Sequence, residues 1–253
     1  MSNQYIVKPH LDGSSFFLPG NKTGFLLIHG FTATTTEVKP LAERLKQEGY
    51  TVSAPLLPGH DTHPDDLNQT HWEDWYHTVR QAYLSLRERC DQIWLGGESM
   101  GALLCLLLAV EFSEVAGLLL FSPALEMKMR GSKAAYLLQY FKKYLKKGPS
   151  KSYQEWKGYN VFPLKGTVQL MKLQKQVKRK LNKVTQPTLV FISKADNRVS
   201  LETGETIINA ISSQEKQLIV LAEASHTMLL DHDNQELMDR AIAFVAENSK
   251  TKG

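Results

Sequence analysis

Six short apolar runs separated by amphipathic helical segments constrain this chain more than any other feature. The runs are GFLLIHG (24–30), TVSAPLL (51–57), DQIWLGG (91–97), VAGLLLFSP (115–123), PTLVFIS (187–193) and QLIVLA (217–222). Strands that are apolar on both faces belong in a parallel sheet covered by helices on each side. The intervening segments supply those helices. Residues 34–49 put Val38, Leu41 and Leu45 on one face, with Gly49 past the end. Residues 71–90 bury Trp72, Trp75, Val79, Tyr83 and Leu86 at three- to four-residue spacing. Residues 99–112, 201–211 and 236–247 complete the set.

The rhythm breaks once. Residues 126–184 run helical for about 60 positions, where a βαβ crossover needs only a dozen or so. Segments 136–145 (YLLQYFKKYL) and 168–181 (VQLMKLQKQVKRKL) are both amphipathic. A helical cap over 125–184 is therefore expected between two strands, with the core in 1–124 and 185–253. The charge is segregated in the same way. Residues 126–183 hold 16 lysines or arginines against two acids, Glu126 and Glu155, a balance of +14 within a chain of net charge +4. Such a block either keeps surface helices soluble or associates weakly with anionic lipid surfaces or acidic substrates.

At 253 residues, 42% hydrophobic and 22% charged, the chain can bury a large core. No run reaches the roughly 18 apolar residues of a membrane span. MSNQYIVKPHLDG has no apolar leader core, and there are only two cysteines, Cys90 and Cys105. A reduced, cytoplasmic protein without a signal peptide is expected. No metal, cofactor or nucleic-acid partner is expected, and the sequence does not distinguish monomer from dimer.

The chemistry concentrates at Gly97-Glu98-Ser99-Met100-Gly101, a G-x-S-x-G pattern with a strand before it and a helix after. A serine on so sharp a turn needs small neighbours two residues away, and it stands exposed at the carboxyl edge of the sheet. A serine at its ordinary pKa needs a base, and the base needs an orienting group. Asp196 follows strand 187–193 and His226 follows strand 217–222, both at that same edge. Asp231 and Asp233 compete for the acid's place but lie toward the last helix, as capping or first-turn acids. An oxyanion requires two donors. The Met100 amide at the helix start and the Phe31 amide in His29-Gly30-Phe31 are the candidates. His29 is expected to brace that turn, and His60 and Asp61 to fix the LPGHD loop. Glu98 either places a carboxylate near His226 or, as the simpler expectation, points to solvent.

LLIHGFTAT, APLLPGHD, HWEDW, GGESMGA, the Asp196 loop and ASHTMLLD, in that order over nearly the whole chain, resemble the α/β-hydrolase superfamily. More closely they resemble small bacterial carboxylesterases and monoacylglycerol lipases with a short helical cap. The resemblance implies an α/β-hydrolase fold, a small-molecule ester substrate and no cofactor. It makes Ser99, Asp196 and His226 nucleophile, acid and base, with Phe31 and Met100 at the oxyanion. The short His-Gly-Phe loop implies unbranched esters of ordinary alcohols. Glu98, where histidine or leucine is common, and the lysine-rich cap depart from the pattern. Met127, Met129, Leu137, Leu138, Phe141, Val161, Phe162, Leu170 and Met171 could wall an acyl pocket. A thioesterase or acyltransferase, a cofactor-free C–C hydrolase and a non-catalytic binding protein share the scaffold; the first would need a phosphate loop that is absent, and the last usually lacks a triad member.

Overall fold

In the computed structural model, which describes residues 4–128, 134–148 and 155–249, the apolar runs assemble into one seven-stranded sheet. Its first half comprises β1 (Ile6–Val7, outside the main sheet), β2 (Phe16–Leu18), β3 (Thr23–Ile28), helix α1 (Lys39–Gln47), β4 (Thr51–Ala54), α2 (Pro64–Leu67), α3 (Trp72–Arg87), β5 (Gln92–Glu98), α4 (Met100–Glu111) and β6 (Gly117–Phe121). The intervening segment holds α5 (Ala135–Leu138), β7 (Tyr144–Lys146), β8 (Gly158–Tyr159), β9 (Val161–Pro163) and α6 (Leu164–Lys178). The chain then returns through β10 (Thr188–Ser193), α7 (Glu202–Ala210), β11 (Lys216–Leu221) and α8 (Gln235–Ser249). The order across the sheet is β11-β10-β6-β5-β3-β4-β2, parallel except for β2, which runs antiparallel on β4.

Successive side chains of each central strand enter different cores, as a period of two requires. Leu26, Ile28, Leu95, Leu118, Leu120, Val190 and Ile192 pack with α3, α4 and α7. Phe25, Leu27, Trp94, Leu119, Phe121, Leu189 and Phe191 face α1 and α8 instead. Each fully buried leucine or phenylalanine is worth about 2 kcal/mol of transfer free energy, so the two faces together fix the register. Helix α4 is buried over nearly its whole circumference, from Met100 to Ala109. A helix without a polar face must lie inside, and α4 sits between the sheet, α3 and α6. No helix among the described residues is long and apolar enough to cross a membrane.

Three boundaries differ from expectation for local reasons. The strand expected over 51–57 ends at Ala54, where Pro55 has no N–H to continue the ladder. The helix expected over 34–49 opens as a separate 3-10 turn, Thr35–Glu37, and restarts at Lys39 with Pro40 in its first turn. The helix expected over 136–145 stops at Leu138, and Tyr144–Lys146 pairs antiparallel with Val161–Pro163. Along a continued helix Leu137 and Phe141 would share a face, yet they stand 69% and 83% exposed. With no surface to bury that face, strand pairing wins over local periodicity. The N-terminal strand β1 also joins this segment, pairing antiparallel with β8.

Candidate active site

Ser99 occupies the step from β5 to α4 with φ 56° and ψ −111°, a left-handed conformation that side-chain-bearing residues rarely adopt. The two flanking glycines answer to different neighbours. A β-carbon on Gly97 would lie 2.4 Å from the Gly101 carbonyl carbon, and one on Gly101 would lie 2.0 Å from the Ile28 oxygen. Gly97 thus lets α4 start against its own strand, and Gly101 lets it start against β3. The turn is tied down by the Ser99 amide donating to the Phe121 carbonyl (2.9 Å) and the Ala124 amide donating to the Ser99 carbonyl (3.1 Å).

Asp196 follows β10 and His226 follows β11, so parallel topology delivers both to the edge that carries Ser99. The Ser99 hydroxyl donates to His226 Nε2 (3.1 Å), and His226 Nδ1–H donates to Asp196 Oδ2 (2.8 Å). Asp196 Oδ1 accepts the amides of Arg198 (2.7 Å) and Val199 (3.0 Å). Burial pushes the Asp196 carboxyl up, but the bonds from His226 and the two amides outweigh it and hold the group below its ordinary value. It therefore stays ionised beside the imidazole. Such a chain can take a proton from the serine and stabilise the imidazolium that results.

The rest of the site hangs on β3. His29 is fully buried; the Leu57 amide donates to its Nε2 (3.1 Å), leaving Nδ1–H to donate to the Gly30 carbonyl (2.9 Å). Burial lowers its pKa to about 4, so it is a neutral brace between two loops. His60 packs its ring 4.9 Å from that of His29 and 6.3 Å from that of Phe31, and Asp61 pairs with Lys157 (2.8 Å). The Phe31 and Met100 amides, at the loop after β3 and the first turn of α4, donate to no protein acceptor among the described residues. These are the groups an oxyanion would need.

Two acids in this neighbourhood are placed otherwise than sequence suggests. Glu98 does not reach solvent: it is fully buried, with Oε1 3.5 Å from the Leu229 amide. Glu37, in the 3-10 turn, is also buried and accepts the Gly30 amide at 2.6 Å. Thr34 to Glu37 reads as a helix capping box, which is why sequence gives no hint that the glutamate turns back to the loop after β3. Asp231 is not in the first turn of α8; its Oδ2 accepts the Ser225 amide (2.6 Å) and braces the His226 loop, while Asp233 lies exposed before Gln235.

Burial, and Glu37 after it, push the Glu98 carboxyl well above the ordinary range, which favours its neutral form. A group whose pKa rises on folding stabilises the fold fully below its unfolded pKa and loses that contribution as pH rises toward the folded value. Glu98→Gln, neutral at every pH, is expected to gain on wild type above pH ~4.5, by up to about 1.4 kcal/mol per pH unit. Melting curves from pH 4 to 9 check this; parallel curves for the two proteins would contradict it.

A cavity of about 750 Å³ opens over Ser99 and His226. Of the apolar residues expected around an acyl chain, Met127, Val161, Phe162 and Leu170 line it. Leu138 and Met171 pack instead with Ala135, Leu164 and Val168, Leu137 and Phe141 are exposed, and Met129 lies outside the described residues. Sequence reading missed Lys147 and Arg198 in this wall, because nothing local marks two cations 51 positions apart as neighbours.

The family model described as serine aminopeptidase, S33, matches residues 21–233. The chain is 33% identical over 256 residues to a thermostable monoacylglycerol lipase of Bacillus sp. strain H-257, covering 98% of this chain and 100% of that one. It is 28% identical over 222 residues to a carboxylesterase of Bacillus subtilis strain 168, covering 86% and 90% of the two. Among solved structures, one from work on LipS and LipT, two metagenome-derived lipolytic enzymes, superposes with a TM-score of 0.88 at 30% identity, covering 94% and 99% of the two chains. A monoacylglycerol lipase of Paleococcus ferrophilus shares the fold with a TM-score of 0.77 at 18% identity, over 93% and 99%. Sheet order, the strained serine turn and the match over residues 21–233 agree: the chain belongs to the serine aminopeptidase S33 family of α/β-hydrolases.

Proposed function

We propose that this chain is a serine hydrolase that cleaves carboxylic esters through an acyl-enzyme. The observation that carries the reading is the continuous hydrogen-bonded chain Ser99–His226–Asp196, which meets the cavity at Ser99 and His226. The similarity to a monoacylglycerol lipase and a carboxylesterase supports it and favours short- to medium-chain acyl esters or monoacylglycerols.

Ser99 Oγ attacks the ester carbonyl as its proton passes to His226 Nε2. The carbonyl oxygen, now anionic, takes the amides of Phe31 and Met100. These donors act where charge develops and cost no reorganisation. The positive end of α4 adds to them. Collapse of the intermediate expels the alcohol with the proton from His226 and leaves Ser99 acylated. Water then gives its proton to His226 and adds to the acyl carbon. Collapse returns the proton to Ser99 and frees the acid. Asp196 keeps the imidazole in the tautomer this needs throughout. A turnover panel of p-nitrophenyl esters of rising chain length, monoacylglycerols and acyl-CoA thioesters tests the reading. Oxygen esters of up to medium chain length are expected to be turned over fastest, and a thioester preference would overturn it.

In this reading residues 125–184 form a cap over a core of 1–124 and 185–253. Its outer face joins apolar to basic residues: Leu137, Tyr140 and Phe141 are 69%, 77% and 83% exposed, beside exposed Lys142 and Lys143. That combination suits weak docking on anionic lipid surfaces. Co-sedimentation with phosphatidylglycerol vesicles is expected at low salt and to fall at 0.5 M salt, with no binding to phosphatidylcholine; equal binding to both would refute it. The two cysteines, buried and unpaired, fit a cytoplasmic location.

A further inference from the structure

Two cations converge on the cavity beside the triad. Lys147 stands just past the end of β7, and Arg198 lies two residues beyond Asp196 in the loop after β10. Both line the wall shared with Ser99 and His226. They address the same ring: Lys147 Nζ is 5.0 Å from the Phe162 centroid and Arg198 Cζ is 5.5 Å from it. Lys147 also lies 5.0 Å from the Trp156 ring and donates to Thr32 Oγ1 (2.5 Å), one residue past the Phe31 amide.

Among the described residues neither has a carboxylate within ion-pairing distance, whereas other cations of the same segment do. Lys143 pairs with Asp65, Lys157 with Asp61 and Lys178 with Glu126. The acids nearest the pair are already engaged. Asp196 spends one oxygen on His226 and the other on two amides. Glu37 holds the Gly30 amide, and Glu223 stands exposed at the cavity rim. Burial, and Arg198 after it, push the Lys147 ammonium down to about 7 against the opposing pull of Glu37. Two like charges on one cavity wall, offset only by carboxylates already bonded elsewhere, raise each other's energy, and the group that relieves them is an anion. Arginine supplies a planar fork for a carboxylate or phosphate and lysine a point charge beside it.

We propose that the site takes esters bearing an anionic group, a carboxylate or a phosphate, which Lys147 and Arg198 hold against the Phe162 face while Ser99 meets the ester carbonyl. This rests on the esterase reading and names its substrate class. Matched pairs test it and separate the two sides of the ester bond: mono-p-nitrophenyl adipate against p-nitrophenyl hexanoate for a charged acyl group, and 1-butyrylglycerol 3-phosphate against 1-butyrylglycerol for a charged alcohol. In wild type, kcat/KM for the charged member of at least one pair is expected to exceed that of its neutral partner about tenfold or more. In K147Q/R198Q that ratio falls to one or below, mainly through KM, and in K147R/R198K it is largely kept, which separates lost charge from lost folding of the cap.

A wild-type ratio at or below one in both pairs, with the neutral esters turned over, overturns the inference and leaves the esterase reading standing. A high ratio that survives K147Q/R198Q also overturns it. Failure to hydrolyse any of the four overturns both.

Discussion

Ser99→Ala is expected to lower kcat for p-nitrophenyl butyrate by roughly a factor of 10⁶ while leaving the melting temperature within about 3 °C of wild type. The size follows from the role proposed for the side chain. Loss of the nucleophile of a hydrogen-bonded triad removes covalent catalysis altogether, and the other two members cannot act without it. What remains is binding and the amides of Phe31 and Met100, enough for a residual 10³ to 10⁴ over water. The small effect on stability has equally specific causes. The strain at φ 56° is a property of the backbone turn, and alanine bears it as serine does. The lost hydroxyl leaves His226 Nε2 in a cavity that water can enter, so no polar group is stranded dry. Circular dichroism and a p-nitrophenolate assay on one preparation decide the matter, and turnover within a factor of ten of wild type would remove Ser99 from the nucleophile's place. Asp196→Asn would be a poorer test, since Asp196 also anchors the amides of Arg198 and Val199 and its loss would disturb the loop as well as the chemistry.

The hydrogen-bonded chain Ser99–His226–Asp196 was legible because each member depends on a local pattern: a strand followed by a loop that carries one reactive residue. Parallel topology does the rest, bringing the ends of β5, β10 and β11 to one edge without any long-range information. Fully apolar runs likewise marked the strands, since only a sheet covered on both faces buries them. What stayed hidden depends on distant packing. Glu37 gives the periodicity signal of a helix cap, yet its carboxylate holds the Gly30 amide because the loop after β3 folds across it. Glu98 was expected to point to solvent; its burial, which with Glu37 sixty-one positions earlier raises its pKa, depends on packing against the loop at Leu229. The segment between β6 and β10 was least legible. Its short strands pair with partners up to 153 positions away, as β1 does with β8, and strands of two or three residues carry too few side chains to show a period. Lys147 and Arg198 belong to the same class, since a shared ring is visible only once both backbones are in place.

Gly101→Ala is expected to destabilise the protein by about 3 kcal/mol or more, a fall of roughly 6–12 °C in melting temperature for a chain of this size. The added methyl would stand 2.0 Å from the Ile28 carbonyl oxygen, 2.6 Å from its carbon and 2.9 Å from the His29 oxygen. All three are backbone atoms of β3 or the residue after it, and backbone in the middle of a sheet cannot rotate away as a side chain would. Helix α4 and β3 must therefore separate by about an ångström, and that gap runs between the two amides proposed to hold the oxyanion. A misplacement of this size costs about 10² in rate, so kcat is expected to fall together with stability. Gly148→Ala provides the contrast: a β-carbon there meets nothing within 4 Å, and the stiffer chain is expected to melt at or slightly above the wild-type temperature. If Gly101→Ala melted like Gly148→Ala, the close approach of α4 to β3 would not be what the second glycine of the motif serves, and the turn would owe its shape to Ser99 and Gly97 alone.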